Sequence, residues 1–184
     1  PPREEEPGPE GIGRELGDRG WEARVLNNLG RVAYYQADYA AAAALHEQSL
    51  VIRREYGDIR DIAASLQCLG LLAVARGDYE DAAAILKEGL ATHRETRNKL
   101  GIANCLEGLA GVALAQDRAV EAARLLGAIE ALLELVGGTQ QWGARARYER
   151  DRAAVRAALG EASFEAARAD GHGLSLDEAI DYAL

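Results

Sequence analysis

Between residues 10 and 184 the chain has no proline; its four prolines are Pro1, Pro2, Pro7 and Pro9. Proline costs a helix interior roughly 3 kcal/mol, so its absence leaves this whole stretch open to helix. Aromatic residues are scarce, with a single phenylalanine, and alanine, leucine, arginine and glutamate dominate. That is poor strand material, and the fold class read from it is all-α. Methionine is missing even from position 1, which points to a piece cut from a longer protein. No apolar run approaches the roughly 18–20 residues of a membrane span, and no signal peptide is visible, so the expected location is cytoplasmic. Positive charge is in deficit: 21 basic residues face 30 acidic ones, a net charge of −9. A chain that coats nucleic acid, or lies on an anionic membrane, needs the opposite sign. Cys68 and Cys105 are the only cysteines, with no CxxC and no histidine pair beside them. They read as small apolar fillers in a reducing compartment, and no metal or other cofactor is expected.

What the chain does have is a repeat. Shifted by 40 residues, the sequence realigns on itself without a gap: Leu29 falls on Leu69 and Leu109, and Gly30 on Gly70 and Ala110. Asp38-Tyr39 falls on Asp78-Tyr79, Ala42 on Ala82 and Ala122, and Arg14-Glu15 on Arg54-Glu55 and Arg94-Glu95. A fixed period of this size marks stacked supersecondary units that cannot bury their apolar faces alone.

Three units are read over residues 14–138, behind a flexible lead at 1–13 that is rich in proline, glycine and acid. Residues 14–19 match 54–59, as though the chain began at the tail of a preceding unit. In the first unit, helix A is expected to bury Val25, Leu26, Leu29, Val32 and Ala33 along one stripe. Asp38 caps helix B, which buries Ala42, Leu45, Ser49, Ile52 and Tyr56, and Gly57 closes it in a left-handed conformation. Gly30 and Ala42 let the two helices approach closely. The third unit drifts, with Arg118-Ala119 in place of Asp-Tyr. Beyond 138 the register fails. Residues 139–184 read as capping helices: Trp142–Leu159 with Tyr148, Val155 and Leu159 on one side, a short helix at 161–169 carrying Phe164, a Gly171-His172-Gly173 turn, and a last helix opened by the capping box Ser175 to Glu178. This tail is expected to cover the apolar end of the stack.

Residues 24–57 and 64–97 resemble the tetratricopeptide repeat (TPR), on Leu26, Leu29, Gly30, Asp38-Tyr39, Ala42 and Leu50, and on Leu66, Leu69, Gly70, Asp78-Tyr79, Ala82 and Leu90. The longer 40-residue form is similar to repeats of spindle-orienting adaptors and bacterial signal-transduction ATPases. The tail, residues 122–138 and 145–184, resembles the C-terminal part of bacterial STAND-class ATPase and LuxR-type transcriptional regulators. The resemblance implies a right-handed α-solenoid of TPR-like helix hairpins with a C-terminal helical cap. It also implies a non-enzymatic interaction or sensor arm; no GxxxxGK[ST] nucleotide loop is present in these residues.

In the tetratricopeptide-repeat family ligands lie along the concave face lined by helix A. The matching positions here are Arg24, Asn27, Asn28, Arg31, Tyr34 and Tyr35 in the first unit, Gln67, Leu71 and Val74 in the second, and Asn104, Glu107 and Gly111 in the third. The expected partner is a protein or peptide segment, or another domain of the parent regulator. A small-molecule or peptide inducer, and self-assembly into a homo-oligomer, are the alternatives. The carboxylate clamp of chaperone-binding repeats is not matched, since only Arg24 with Asn28 fits it, while Cys68, Gly108 and Asn104 depart from it. His46 aligns with Leu86 and Leu126 and is expected in the core. His93 aligns with Arg53 and is expected to face solvent. The arginine run from Arg145 to Arg156, set against Glu149 and Asp151, reads as a solvated helix face laced with i,i+4 pairs, with docking of an acidic partner or of another part of the parent regulator as the alternative.

Overall fold

A computed structural model describes the backbone of residues 9–137 and 142–184, and the side chains of residues 19–137 and 145–184. Among the described residues there are nine helices and no strand. They are α1 (Pro9–Tyr35), α2 (Tyr39–Tyr56), α3 (Ile59–Arg76), α4 (Tyr79–Glu95), α5 (Lys99–Ala115), α6 (Ala119–Val136), α7 (Trp142–Leu159), α8 (Glu161–His172) and α9 (Leu176–Ala183). Helices α1–α2, α3–α4 and α5–α6 pair as hairpins, and the hairpins stack through α2–α3 and α4–α5. The first helices of successive units, α1, α3 and α5, touch along one side. The result is an all-α solenoid.

The turns keep a stricter period than the sequence repeat. A left-handed residue, with φ between 53° and 84°, stands at Ala37, Gly57, Gly77, Arg97, Asp117 and Gly137, one every 20 residues. Helices A and B thus obey one rhythm, and only half of these positions carry the glycine that makes such a φ free of steric cost. The capping residues also vary. Asp38 accepts from the Ala41 amide at 3.0 Å and Asn98 from that of Gly101, whereas Asp78 makes no cap bond and pairs with Arg76 at 3.1 Å.

Close approach within the first two hairpins depends on one glycine each. A Cβ on Gly30 would stand 2.9 Å from the His46 ring, and one on Gly70 would stand 2.5 Å from Leu86 Cγ. The tightest crossing lies elsewhere, between α6 and α8. There a Cβ on Gly127 would come within 2.0 Å of the Arg168 carbonyl oxygen, and one on Gly171 within 1.9 Å of that of Arg124. These two backbones meet with nothing between them. That contact also explains why α8 runs through to His172, where a turn was expected from Gly171 onward: Gly171 serves as the packing surface.

The main core is assembled from α4 to α9, with Leu86, Leu106, Leu126, Ile129, Phe164 and Ile180 fully buried. Helices α7 to α9 close the stack as expected: Tyr148, Val155, Phe164 and Ile180 join the same cluster as the third unit. The capping box at Ser175 is present in both of its hydrogen bonds.

The first unit departs from expectation. Leu29 and Val32, assigned to the buried stripe, are exposed, and the residues that α1 buries are the smaller Ala23, Asn27, Gly30 and Ala33. The slots of Leu69 and Leu109 lie on the side covered by the preceding unit; α1 has no such helix against it among the described residues. Residues 14–19 do not turn as 54–59 do at Gly57, and α1 runs straight through them. Helix α1 begins at Pro9, within the stretch read as a lead; residues 1–8 and 138–141 lie outside the described residues.

Candidate functional site

The first helices of the three units, α1, α3 and α5, lie along one side of the stack, the side assigned to the concave face. On it lies a half-open cavity of about 200 Å³. Helix α1 contributes Asn27, Arg31, Tyr34 and Tyr35, and α2 contributes His46. Ala64, Gln67, Cys68 and Leu71 of α3 form the floor, with Leu100 and Asn104 of α5 at the far side. The last wall is Arg147, from α7.

Seven of the residues assigned to the concave face from sequence are therefore brought together: Asn27, Arg31, Tyr34, Tyr35, Gln67, Leu71 and Asn104. Arg24 and Asn28 are exposed on α1 and lie outside the cavity. Glu107 is not a lining residue either. Its side chain is 1% exposed and accepts from Arg147 Nε at 2.7 Å. Val74 packs into the core, and Gly111 lies under Val74 and near Asp151 of α7. Helix α7 thus covers the groove of the third unit, and what remains open is the groove of the first two.

The arginine run is corrected accordingly. Arg145 and Arg150 are exposed as expected, but the others reach across to different helices instead of along their own. Arg147 goes to Glu107, and its Nη1 lies 3.5 Å from the Tyr34 hydroxyl. Arg152 lies 3.7 Å from Glu130. Arg156 pairs with Glu161 and Glu165 and sits over the Phe164 ring at 5.0 Å. A helix whose moment is set by long arginines packs through their stems and charges, which periodicity counted on apolar residues cannot see.

His46 is buried as expected and hydrogen-bonds Asn27 Oδ1 through Nδ1 at 3.2 Å, so the neutral ring donates there. Burial, aided by Arg53 and Arg31, lowers its pKa to about 4. His93 is a correction: it is 1% exposed, not solvent-facing. Its slot partner Arg53 is buried as well, donating to the Asp61 carbonyl and the Ser65 hydroxyl, both at 2.8 Å. This position looks inward at the following unit whichever residue fills it. His93 stacks on Gly101, where a Cβ would come within 2.4 Å of the ring, and neither ring nitrogen has a partner. Burial alone lowers its pKa to about 4.

Both cysteines are unpaired thiols. Burial pushes Cys68 up to about 11, against the pull of Arg31, Arg53 and Arg147, and pushes Cys105 higher still, so neither is a ready nucleophile. Among the described residues no group of three or more His, Cys, Asp or Glu side chains could hold a metal ion, and no helix is long and apolar enough to cross a membrane.

Residues 23–56 and 62–99 match the tetratricopeptide repeat family, together under half of the chain. These two units are a TPR-type repeat region. TPR repeats generally mediate protein–protein interaction, and the matched segments supply α1 to α4, which frame most of the cavity. The third unit and the cap lie outside the match but continue the same TPR-like solenoid. No curated protein matches the chain.

Proposed function

We propose that this chain is a non-enzymatic interaction module of a bacterial signal-transduction or transcriptional regulator, and that it binds a segment of a partner protein, or of its own parent, on the concave TPR face. The regulator context rests on the likeness of residues 122–138 and 145–184 to the C-terminal part of STAND-class and LuxR-type regulators. The observation that carries the binding mode is the cavity itself. Its lining alternates ring faces (Tyr34, Tyr35), amides (Asn27, Gln67, Asn104) and guanidinium groups (Arg31, Arg147), a mixture suited to an extended backbone with side chains. Its volume of about 200 Å³ falls below the roughly 300–1,000 Å³ of pockets that enclose whole small molecules. A side chain anchored from a longer segment fits that size better than an inducer held by itself.

The test is a selection of random twelve-residue peptides displayed on phage. Peptides recovered by the wild-type chain are expected to lose binding when Tyr35 and Gln67 are changed to alanine. Recovery that is indifferent to both changes would remove the concave face from the account. Self-assembly is the second reading, favoured by the exposed Trp21, Leu29 and Val32 on α1. Sedimentation of the wild type against Leu29→Arg decides it, through a concentration-dependent dimer that the variant abolishes.

A further inference from the structure

Within a chain of net charge −9, the concave cavity is lined by two guanidinium groups and, among the described residues, by no carboxylate. A third, Arg53, lies close enough beneath for its charge to act on both His46 and Cys68. Glu107 lies behind Arg147, which donates to it through Nε while its Nη1 lies 3.5 Å from the Tyr34 hydroxyl. At physiological ionic strength charges are screened beyond about 8 Å, so a group entering the cavity feels these arginines more than the acidic surface. A planar fork is also the donor that matches a carboxylate best.

We propose that the cavity takes the carboxylate side chain of an acidic residue in the bound segment, held between Arg31 of the repeats and Arg147 of the cap, with Glu107 acting as the internal stand-in for that carboxylate. This rests on the reading of the concave face as a peptide site. It differs from the clamp of chaperone-binding repeats, whose slots are occupied here by Cys68, Asn104 and Gly108. Arg147 lies outside the repeats, so binding draws on the cap as well as on the units. An incoming carboxylate and Glu107 share one guanidinium, and the segment therefore competes with the contact that pins α7 onto α5.

The same displayed peptides supply the probe. Those that depend on Tyr35 and Gln67 are expected to share one aspartate or glutamate at a fixed position. Synthetic copies with that residue changed to glutamine or asparagine lose about tenfold in affinity, the scale of one charge-assisted hydrogen-bonded pair. Arg31→Gln, on an exposed helix face, produces a similar loss, with the helical circular dichroism of the variant confirming that it is folded. Glu107→Gln keeps the shape but releases Arg147, so it raises affinity for the acidic peptide severalfold and leaves the neutral copy unaffected, a gain that a structural role for Glu107 would not produce. Groove-dependent peptides with no shared acid would overturn the proposal while leaving the concave-face reading intact. Acidic peptides indifferent to Arg31→Gln and Glu107→Gln would overturn it too, and the absence of any groove-dependent peptide would remove both.

Discussion

Leu29 and Leu109 hold the same slot in the repeat, yet the first is 50% exposed and the second 6%. Leu69, between them in the stack, is half-buried. Its neighbouring slot shows the same gradient in chemistry. The partner of the close-approach residue is His46 in the first unit, Leu86 in the second and Leu126 in the third, and the glycine beneath it becomes Ala110 only in the third. The first unit is open, polar and lined for contact; the third is sealed on its concave side by α7 and at its end by α8 and α9. Repeat position fixes which way a side chain points, and the neighbours present on that side fix whether it is buried. Binding groups survive where the stack leaves a face uncovered, which is why the cavity belongs to the first two units.

The sharpest way to break this contrast is at the two kinds of glycine. Gly171→Ala drives a methyl into the Arg124 backbone, which cannot rotate away, whereas Gly30→Ala meets only the rim of the His46 ring. Overpacking typically costs about 1–3 kcal/mol. The α8 substitution is expected at or above the top of that range and the α1 substitution near the bottom, by urea denaturation. Equal losses would mean that the cap is no tighter than the open end.

Truncating the shared leucine slot comes next. Leu109→Ala is expected to cost about 2–5 kcal/mol, the range for a buried leucine, and Leu29→Ala within about 0.5 kcal/mol, as at an ordinary surface site. A large loss from Leu29→Ala would show that a partner, or a second copy, already covers α1 in solution.

How much of this was legible beforehand divides along the same line. Periodicity located every hairpin, the Gly57 stop, the capping box and the helix over 142–159, because each is written locally in spacing and turn chemistry. The resemblance to the repeat family, carried onto matching slots, named seven of the residues that line the cavity. Both failed where a tertiary neighbour decides. Leu29 looked buried by analogy with units that have a predecessor, and His93 looked exposed because its slot partner is an arginine. Arg147 stood out only as one member of an arginine run, and nothing local set it apart from its neighbours, its role depending on a contact 40 residues away with Glu107.

His93 gives the comparison a pH axis. The same slot is Arg53 in the first unit, charged and hydrogen-bonded, and Leu133 in the third. His93 lies between, a buried ring without partners whose pKa is depressed to about 4. The unfolded chain takes up this proton near the ordinary value of 6.5, so the folded state binds fewer protons between the two. Its contribution to stability is present above about 6.5 and is lost as pH falls toward 4. His46 adds a loss of the same sign. His93→Leu is expected to reduce the acid slope of the melting temperature and to match or exceed the wild type at pH 7, because two buried nitrogens no longer lack partners. An unchanged slope would place the acid sensitivity in His46 or the carboxylates.

The smallest effect tests the rhythm that the units have in common. Of the six left-handed turn positions, three, Ala37, Arg97 and Asp117, are occupied by residues with a Cβ, at φ of 60°, 53° and 59°. An L-residue pays about 1–2 kcal/mol in that region, offset in part by the greater freedom glycine has when unfolded. Arg97→Gly is therefore expected to stabilise by somewhat under 1 kcal/mol, about the net of those two terms, and Ala37→Gly by a similar amount. Thermal melts of both variants separate strain from use. If Arg97→Gly gains and Ala37→Gly does not, the turn beside the cavity is held by more than its own dihedral, and the contacts of Tyr34 with Tyr35 and Tyr39, at 5.6 and 5.8 Å between ring centroids, are the groups in place to hold it.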